Sequence, residues 1–485
     1  MSPWMLGLAA ALPFVASLIV LGIGPSPATE LRATAEGDLE RAEWVRWVAI
    51  VLIGLSIGAL GLVASHGAAV PLRLGPMSLS LDGPASLLAP SYLVAALLAT
   101  LAAPRRSLSR ATSVALAVLG AALLVTLAGD VLTLALGWAL GVLVPLRLHL
   151  RSAVRGRRVI VGFGAARVAL LFAGLGLGVW AAMERGDAAP FALDAVVSLR
   201  SPFAATTLVL VTLAALARMA VFPFHLWLMP FADAAPPLLF VVKFAANVGL
   251  VVLIRLALPL ATSLFDEAVP FVAIVGLLAA LHAALRAVGE TRLRRVVALL
   301  TGSQLGIVVV GASALGEQAA TGAVVGAAAV ALGTSGLLVV VNAVEARLGA
   351  VTLDVRSGAR GLAEAMPKAA LAWFVVAFTT VAIPGSLAFM AEDLVLHGLL
   401  AAHPVLTVLM LLASILNAVT LMRAGASLFL GPAADAHAVP DLLLRERVAL
   451  AVAFALLVGA GLAPSPAVDF AHHAVHRGAL HPHAE

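Results

Sequence analysis

The sequence contains no cysteine, a single tyrosine, and only 11% charged residues in 485. Without cysteine there are no disulfides, no iron–sulfur clusters held by thiolates and no cysteine-type zinc sites, so electron chemistry has to take place in another subunit. No nucleotide-binding fingerprint or haem-ligating pair is present either. Hydrophobic residues make up 62% of the chain, with a mean hydropathy of +1.09. An ordinary soluble domain is about half apolar, so this composition belongs to a chain that lives in lipid.

Apolar runs of roughly 20 residues, each long enough to cross a hydrocarbon core of about 30 Å, recur from Pro3 to Pro464. Reading them in order gives spans near 3–23, 46–65, 85–103, 111–128, 131–150, 158–182, 203–228, 235–259, 268–287, 294–314, 319–346, 368–400, 403–428 and 446–463. The expected fold is therefore an all-α polytopic membrane protein of about fourteen helices, forming one membrane domain over 1–485. The longest polar stretches, Gly24 to Trp44 and Gly431 to Glu446, are too short to bury a core and read as loops. The first run has no basic leader and no small-residue cleavage site before a soluble remainder, so it reads as a span.

The net charge of +5 does not point to nucleic acid, because the arginines fall in loops on one side. Loops after odd-numbered spans hold Arg105, Arg106, Arg110, Arg151, Arg155, Arg157, Arg158, Arg292, Arg294, Arg295, Arg347, Arg356, Arg360 and Lys368. The opposite face holds Arg73, Arg185, Arg200 and Arg477. This bias places the arginine-rich loops in the cytoplasm and both termini on the other side.

Two long spans carry a proline deep inside, Pro223 in the seventh and Pro384, followed by Gly385, in the twelfth. Proline removes a helical hydrogen bond, and in lipid the freed carbonyl needs another donor. Each proline by itself is either a packing kink or a functional break. Five spans apart, the pair fits two inverted five-helix repeats, over about 111–259 and 268–428, of the kind found in transporters.

Charged groups at membrane depth are costly and need a partner or a wet path. Arg218 precedes Pro223 by five residues, Lys243 lies in the middle of span eight, and Glu392 follows Pro384 by about two turns. They read either as an ion relay or as groups satisfied by carbonyls and interfaces. Arginine stays charged, so Arg218 is a fixed charge rather than a carrier. His225 follows the first break, as a relay group or as a stabiliser of the broken turn. Asn247, His282 and Gln304 are possible supporting residues, with Arg286 and Ser303 beside the last two. The tail histidines His472, His473, His476, His481 and His483 have no ligand register, so neither a metal nor another cofactor is expected.

The run Arg218-Met-Ala-Val-Phe-Pro223-Phe-His225-Leu-Trp227-Leu, followed by Ala235-Pro236-Pro237, resembles the seventh-to-eighth-helix signature of the antiporter-like membrane subunits of respiratory complex I and the multisubunit cation/proton antiporters. Gly361-Leu362, Met366-Pro367, and Ile383-Pro384-Gly385 with Phe389 and Glu392 resemble the broken twelfth helix of that family. The resemblance implies a non-redox subunit of a hetero-oligomeric complex in a prokaryotic plasma membrane, moving protons or sodium ions, with other membrane subunits as partners. It places Arg218 at the central seventh-helix lysine, Lys243 at the eighth-helix lysine or histidine, and Glu392 at the twelfth-helix lysine or glutamate. Departures accompany it: Ala139 stands at the fifth-helix glutamate, and Ala331 and Ser335 at the eleventh-helix histidine and lysine. Alternatives are an ion-coupled membrane partner of an inorganic-carbon uptake complex and a structural subunit with a degenerate ion path.

Overall fold

The structure, a computed structural model, describes residues 3–25, 36–65, 71–151, 156–200, 202–264, 269–314, 316–353, 361–381, 383–431, 439–465 and 468. Its helices are α1 (Trp4–Ile23), α2 (Glu36–Ser65), α3 (Ala85–Ala102), α4 (Ala111–Leu127), α5 (Val131–Arg151), α6 (Arg157–Glu184), α7 (Leu193–Val197), α8 (Ala204–Arg218), α9 (Leu228–Ala234) and α10 (Pro237–Ala245). The chain continues through α11 (Val248–Val252), α12 (Leu258–Leu264), α13 (Val269–Gly289), α14 (Leu293–Ser313), α15 (Glu317–Leu348), α16 (Leu362–Ala365), α17 (Pro367–Thr380), α18 (Leu387–Leu400), α19 (Pro404–Phe429) and α20 (Leu444–Leu462). One short antiparallel hairpin, β1 (Leu72–Leu74) and β2 (Met77–Leu79), turns at Gly75, whose φ of 63° suits glycine. Among the described residues, nine helical stretches are long and apolar enough to cross a membrane, taking Pro237–Thr262 as one. The tail histidines lie outside the described residues.

The centre of the bundle is α15, which packs against α3, α10, α14, α17, α18 and α20. Its composition allows this. Gly322, Gly333 and Gly336 leave α18 and α17 room to approach to van der Waals contact, and small residues are the usual route to close packing in lipid. Helices of the rim instead point apolar side chains outward, among them Trp47, Phe172, Phe271, Val405 and Ile415. Apolar surface turned outward suits a lipid environment rather than water.

Ion pairs join many helix ends on one face. Asp233 in the last turn of α9 pairs with Arg292 and Arg295, Arg294 with Glu345, Arg347 with Glu446, and Glu43 with Arg46 and Arg105. Burial pulls the Asp233 carboxyl upward, but Arg295 and Arg292 overcome this and hold it below the ordinary carboxylate range. On the opposite face Asp130 accepts from the Thr133 amide at 2.8 Å and the Thr133 hydroxyl at 2.6 Å, capping α5, and from Ser78 of β2. That carboxylate is spent on helix capping, away from the buried cations.

Three differences from the sequence reading stand out. Residues 36–44 extend α2 as helix rather than loop. The eighth span is interrupted at Asn247 and then passes through a π turn at Leu253–Ala257. A hairpin occupies part of the polar connection after α2.

The second break is packed against α20 without a spacer: a Cβ built on Gly461 would overlap the Gly385 carbonyl and the Ser386 backbone. Neither contact is a flexible side chain. Gly461→Ala is therefore expected to cost about 1–3 kcal/mol by overpacking, read as a lower unfolding temperature of the purified protein. An unchanged unfolding temperature contradicts this packing.

Candidate functional site

At four places where a proline or a break interrupts the helical ladder, a side chain takes a carbonyl that the ladder leaves free. In α5, Pro145 has no amide hydrogen to give to Gly141; the Lys243 ammonium donates to the Gly141 carbonyl instead, at 3.1 Å. In the eighth span the ladder stops at Asn247, and the Lys243 carbonyl accepts from Arg218 Nη1 at 3.4 Å. At the end of α8, Val221 donates to Leu216 rather than Ala217, and the Ala217 carbonyl accepts from Trp227 Nε1 at 3.1 Å. In the twelfth span Pro384 leaves the Thr380 carbonyl unpaired by its own helix, and Gln304 Nε2 donates to it at 2.6 Å. This is the internal satisfaction that lipid demands of non-helical backbone.

The first break runs from Met219 to Pro223, with Ala220 at φ 58° and a cis peptide before Pro223. A positive φ at alanine is an uncommon, costly conformation, and such positions cluster at sites where the surrounding structure imposes them. The turn Phe224–Trp227 then carries Trp227 back under α8. Trp227 is buried, lies nearly parallel to Phe244 at 6.2 Å, and has the Arg167 guanidinium over its ring at 4.6 Å.

Arg167 is a buried cation of this region that sequence reading does not single out. It sits inside α6 and is buried; its Nε donates to the Phe163 carbonyl at 3.0 Å, while its own carbonyl accepts from Trp138 Nε1 at 3.2 Å. The signal was available, since an arginine stands well inside an apolar run, as Arg218 does. Arg167, Arg218 and Lys243 thus form one cluster of buried cations. Among the described residues none of the three is in an ion pair with a carboxylate. Asn247 borders the same cavity as Arg218 and Lys243.

His225 and His282 are brought together, their Nε2 atoms 3.2 Å apart and both rings against Phe222. The pair ties the first break to α13. Glu392 and Gln304 form a third group, around the second break. Ser414 donates to Glu392 at 2.7 Å, and a cavity of about 30 Å³ is lined by Glu392, Gln304 and Thr380 among small apolar residues. Since about 10–15 Å³ on this measure holds one water, there is space for about two. Next to it, Asn417 donates to Ser303 at 3.0 Å. No hydrogen bond among the described residues joins the cation cluster, the histidine pair and the Glu392 group. Ala139 is on α5, and Ala331 and Ser335 are buried on α15, where the Ser335 hydroxyl donates to the Ala95 carbonyl at 2.9 Å.

Residues 156–417, from α6 to α19, match the family described as NADH:quinone oxidoreductase/Mrp antiporter, transmembrane. NADH-quinone oxidoreductase subunit M of Mycobacterium tuberculosis is 26% identical over 261 residues, 53% of this chain and 47% of that subunit. The match therefore spans about half the length of that relative. In fold, the chain is similar to a chain of respiratory complex I from Thermus thermophilus, with a TM-score of 0.84 at 23% identity over 98% of this chain and 99% of that one. It is also similar to a chain of the Mrp complex from Dietzia sp., with a TM-score of 0.79 at 16% identity over 99% of this chain and 98% of that one. The match covers more than half the sequence and includes both broken spans, and the chain belongs to the transmembrane NADH:quinone oxidoreductase/Mrp antiporter family.

Proposed function

We propose that the chain is the membrane subunit of a proton- or sodium-translocating complex, with any redox or catalytic work done by partner subunits. The observation that carries this reading is the capture of helix-break carbonyls by Lys243, Arg218 and Gln304, next to buried ionisable groups. A carbonyl held by a side chain can be released and recaptured without unwinding a helix, which suits a group that exchanges an ion. In this reading Arg218 is a fixed charge, Lys243 and Glu392 trade ions or protons, and His225, Asn247, His282 and Gln304 support them.

The finer architecture belongs to the same proposal. Counting each interrupted helix as one span, the chain crosses the membrane about fourteen times as one domain over 1–485, with inverted five-helix units near 111–259 and 268–428. Both termini are then on the non-cytoplasmic side of a prokaryotic plasma membrane. Support comes from the two proline breaks five spans apart and from the arginines gathered by ion pairs on one face. The partners are further membrane subunits, since the relatives and structural neighbours come from multi-subunit complexes.

Glu392→Gln in the assembled complex tests the second break. The glutamine keeps the shape and an acceptor for Ser414 while losing the exchangeable charge. Ion flux into proteoliposomes should fall by about 10²-fold, the usual worth of a positioned proton-transfer group, with assembly unchanged. Flux at the wild-type rate removes Glu392 from the path.

One set of observations favours a structural subunit instead. Ala139 and Ala331 carry no titratable group, and the Ser335 hydroxyl is committed to Ala95. On that reading neither Glu392→Gln nor Lys243→Ala changes flux.

A further inference from the structure

Arg167, Arg218 and Lys243 are 3%, 6% and 5% exposed, and they converge on a single region between α5, α6, α8 and α10. Backbone carbonyls satisfy one bond from each. A carbonyl brings a dipole, however, and not a charge, so the two guanidiniums and the Lys243 ammonium in its protonated form still oppose one another in low dielectric. A guanidinium also offers five donors in a rigid fork, more than one carbonyl can use. Arg167 Nη1 is buried with no hydrogen-bond partner in the protein, and so is Asn247 Nδ2.

These donors meet space. A cavity of about 20 Å³ is bounded by Arg167, Lys243 and Trp227, and a second of about 10 Å³ by Arg218, Lys243 and Asn247. Since about 10–15 Å³ on this measure corresponds to one water, a monoatomic anion fits and a tetrahedral oxyanion does not. The walls around the first cavity are otherwise largely apolar, with Val142, Ile160 and Phe231. Such walls favour an ion that gives up its hydration readily, and guanidinium, itself weakly hydrated, is the natural partner for one.

We propose that a halide-sized monovalent anion, chloride under ordinary conditions, binds between Arg167 and Lys243 and neutralises the buried cation cluster. The anion accepts from Arg167 Nη1 and from the Lys243 ammonium, and Arg218 adds its field from the far side of Lys243. The site overlaps the one assigned to translocation, so the proposal rests on the cluster being buried in the membrane; its test reads binding and not flux.

The experiment uses the purified complex in lipid nanodiscs, unfolded by heat in sodium chloride, sodium bromide or sodium gluconate at one pH and one ionic strength. Ligand that binds only the folded state raises the unfolding temperature with a saturating dependence on its concentration, here by about 5 °C between gluconate and halide. Arg167→Gln abolishes the difference between the salts. Because that variant removes a buried contact to Trp227 and folding can suffer, crystals of the wild-type complex in bromide provide a second measurement: anomalous density within hydrogen-bond reach of Arg167 Nη1 and Lys243 Nζ. Equal unfolding temperatures in chloride and gluconate overturn the proposal, as does an undiminished halide effect in Arg167→Gln or the lack of bromide density at this position. A halide effect in a complex that moves no ion leaves the anion site standing and removes translocation. Flux without any halide effect does the reverse.

Discussion

Replacing Lys243 with alanine should leave the complex assembled while reducing ion flux by about 10²-fold, the loss expected for a positioned proton-transfer group. These two outcomes follow from the same surroundings. Lys243 shares its cavity with Arg218 and lies in another with Arg167, so its removal relieves repulsion between like charges as well as deleting a hydrogen bond. The contact that secures Arg218 is made to the Lys243 backbone carbonyl and survives the change. The Gly141 carbonyl, freed by Pro145, loses its donor at a cost of about 1–3 kcal/mol, which a water entering the space left by the lysine stem offsets. Measured together, subunit content by native gel and flux in proteoliposomes separate the effects. Loss of the whole complex would show Lys243 to be structural.

A larger effect on stability is expected at Trp227. Its indole donates to the Ala217 carbonyl at the first break, lies against Phe244 and supports Arg167 from below. Trp227→Ala removes a fully buried ring and leaves both a cavity and an unsatisfied carbonyl, for about 3–5 kcal/mol. It also exposes Arg167 to the space vacated. The complex should then fail to assemble or unfold at a markedly lower temperature. Trp227→Phe keeps a ring against Phe244 while losing the donor and only part of the ring volume, so its cost should be smaller, about 1–3 kcal/mol. If the two variants unfold at the same temperature, the ring does not hold the break and the hydrogen bond alone does.

The breaks at Pro223 and Pro384 were legible in the sequence because proline has a fixed backbone consequence. The partners of the freed carbonyls were not, since Gln304 lies 76 residues from Thr380 and Lys243 lies 102 from Gly141. Such pairings are set by tertiary packing. The interruption at Asn247 has no proline to announce it; despite Lys243, Asn247 and Arg255, the stretch from Pro237 to Thr262 contains an 18-residue window of mean hydropathy 2.2 and reads as one helix. Asn247 followed by Gly249 was the available hint, as a polar cap and a flexible residue inside an apolar run. Arg167 has no proline or motif beside it to mark a site, and its place at the Trp227 ring is set by the packing of α6 against the first break. The histidines at 225 and 282 were each readable as polar groups near a helix end, and only the packing of α13 against the first break makes them a pair.

The site itself was half legible. Arg218, Lys243 and Glu392 stand out as charges inside apolar runs, and the structure groups the first two while keeping Glu392 with Gln304 around the second break. The two centres follow one construction rule, a proline or ladder break whose carbonyl is taken by a side chain from another helix. Their chemistry differs. The first is cationic, its space divided into two small cavities of about 20 and 10 Å³, and the second pairs a carboxyl group with one cavity large enough for about two waters.

The most direct test of ion translocation through these two centres is uptake of protons and of sodium into proteoliposomes carrying the whole complex, with the wild type beside the Lys243→Ala/Glu392→Gln double variant at matched subunit content. The account predicts uptake by the wild type and, for the double variant, a rate no greater than the leak of protein-free vesicles. Uptake by the double variant at the wild-type rate would contradict it.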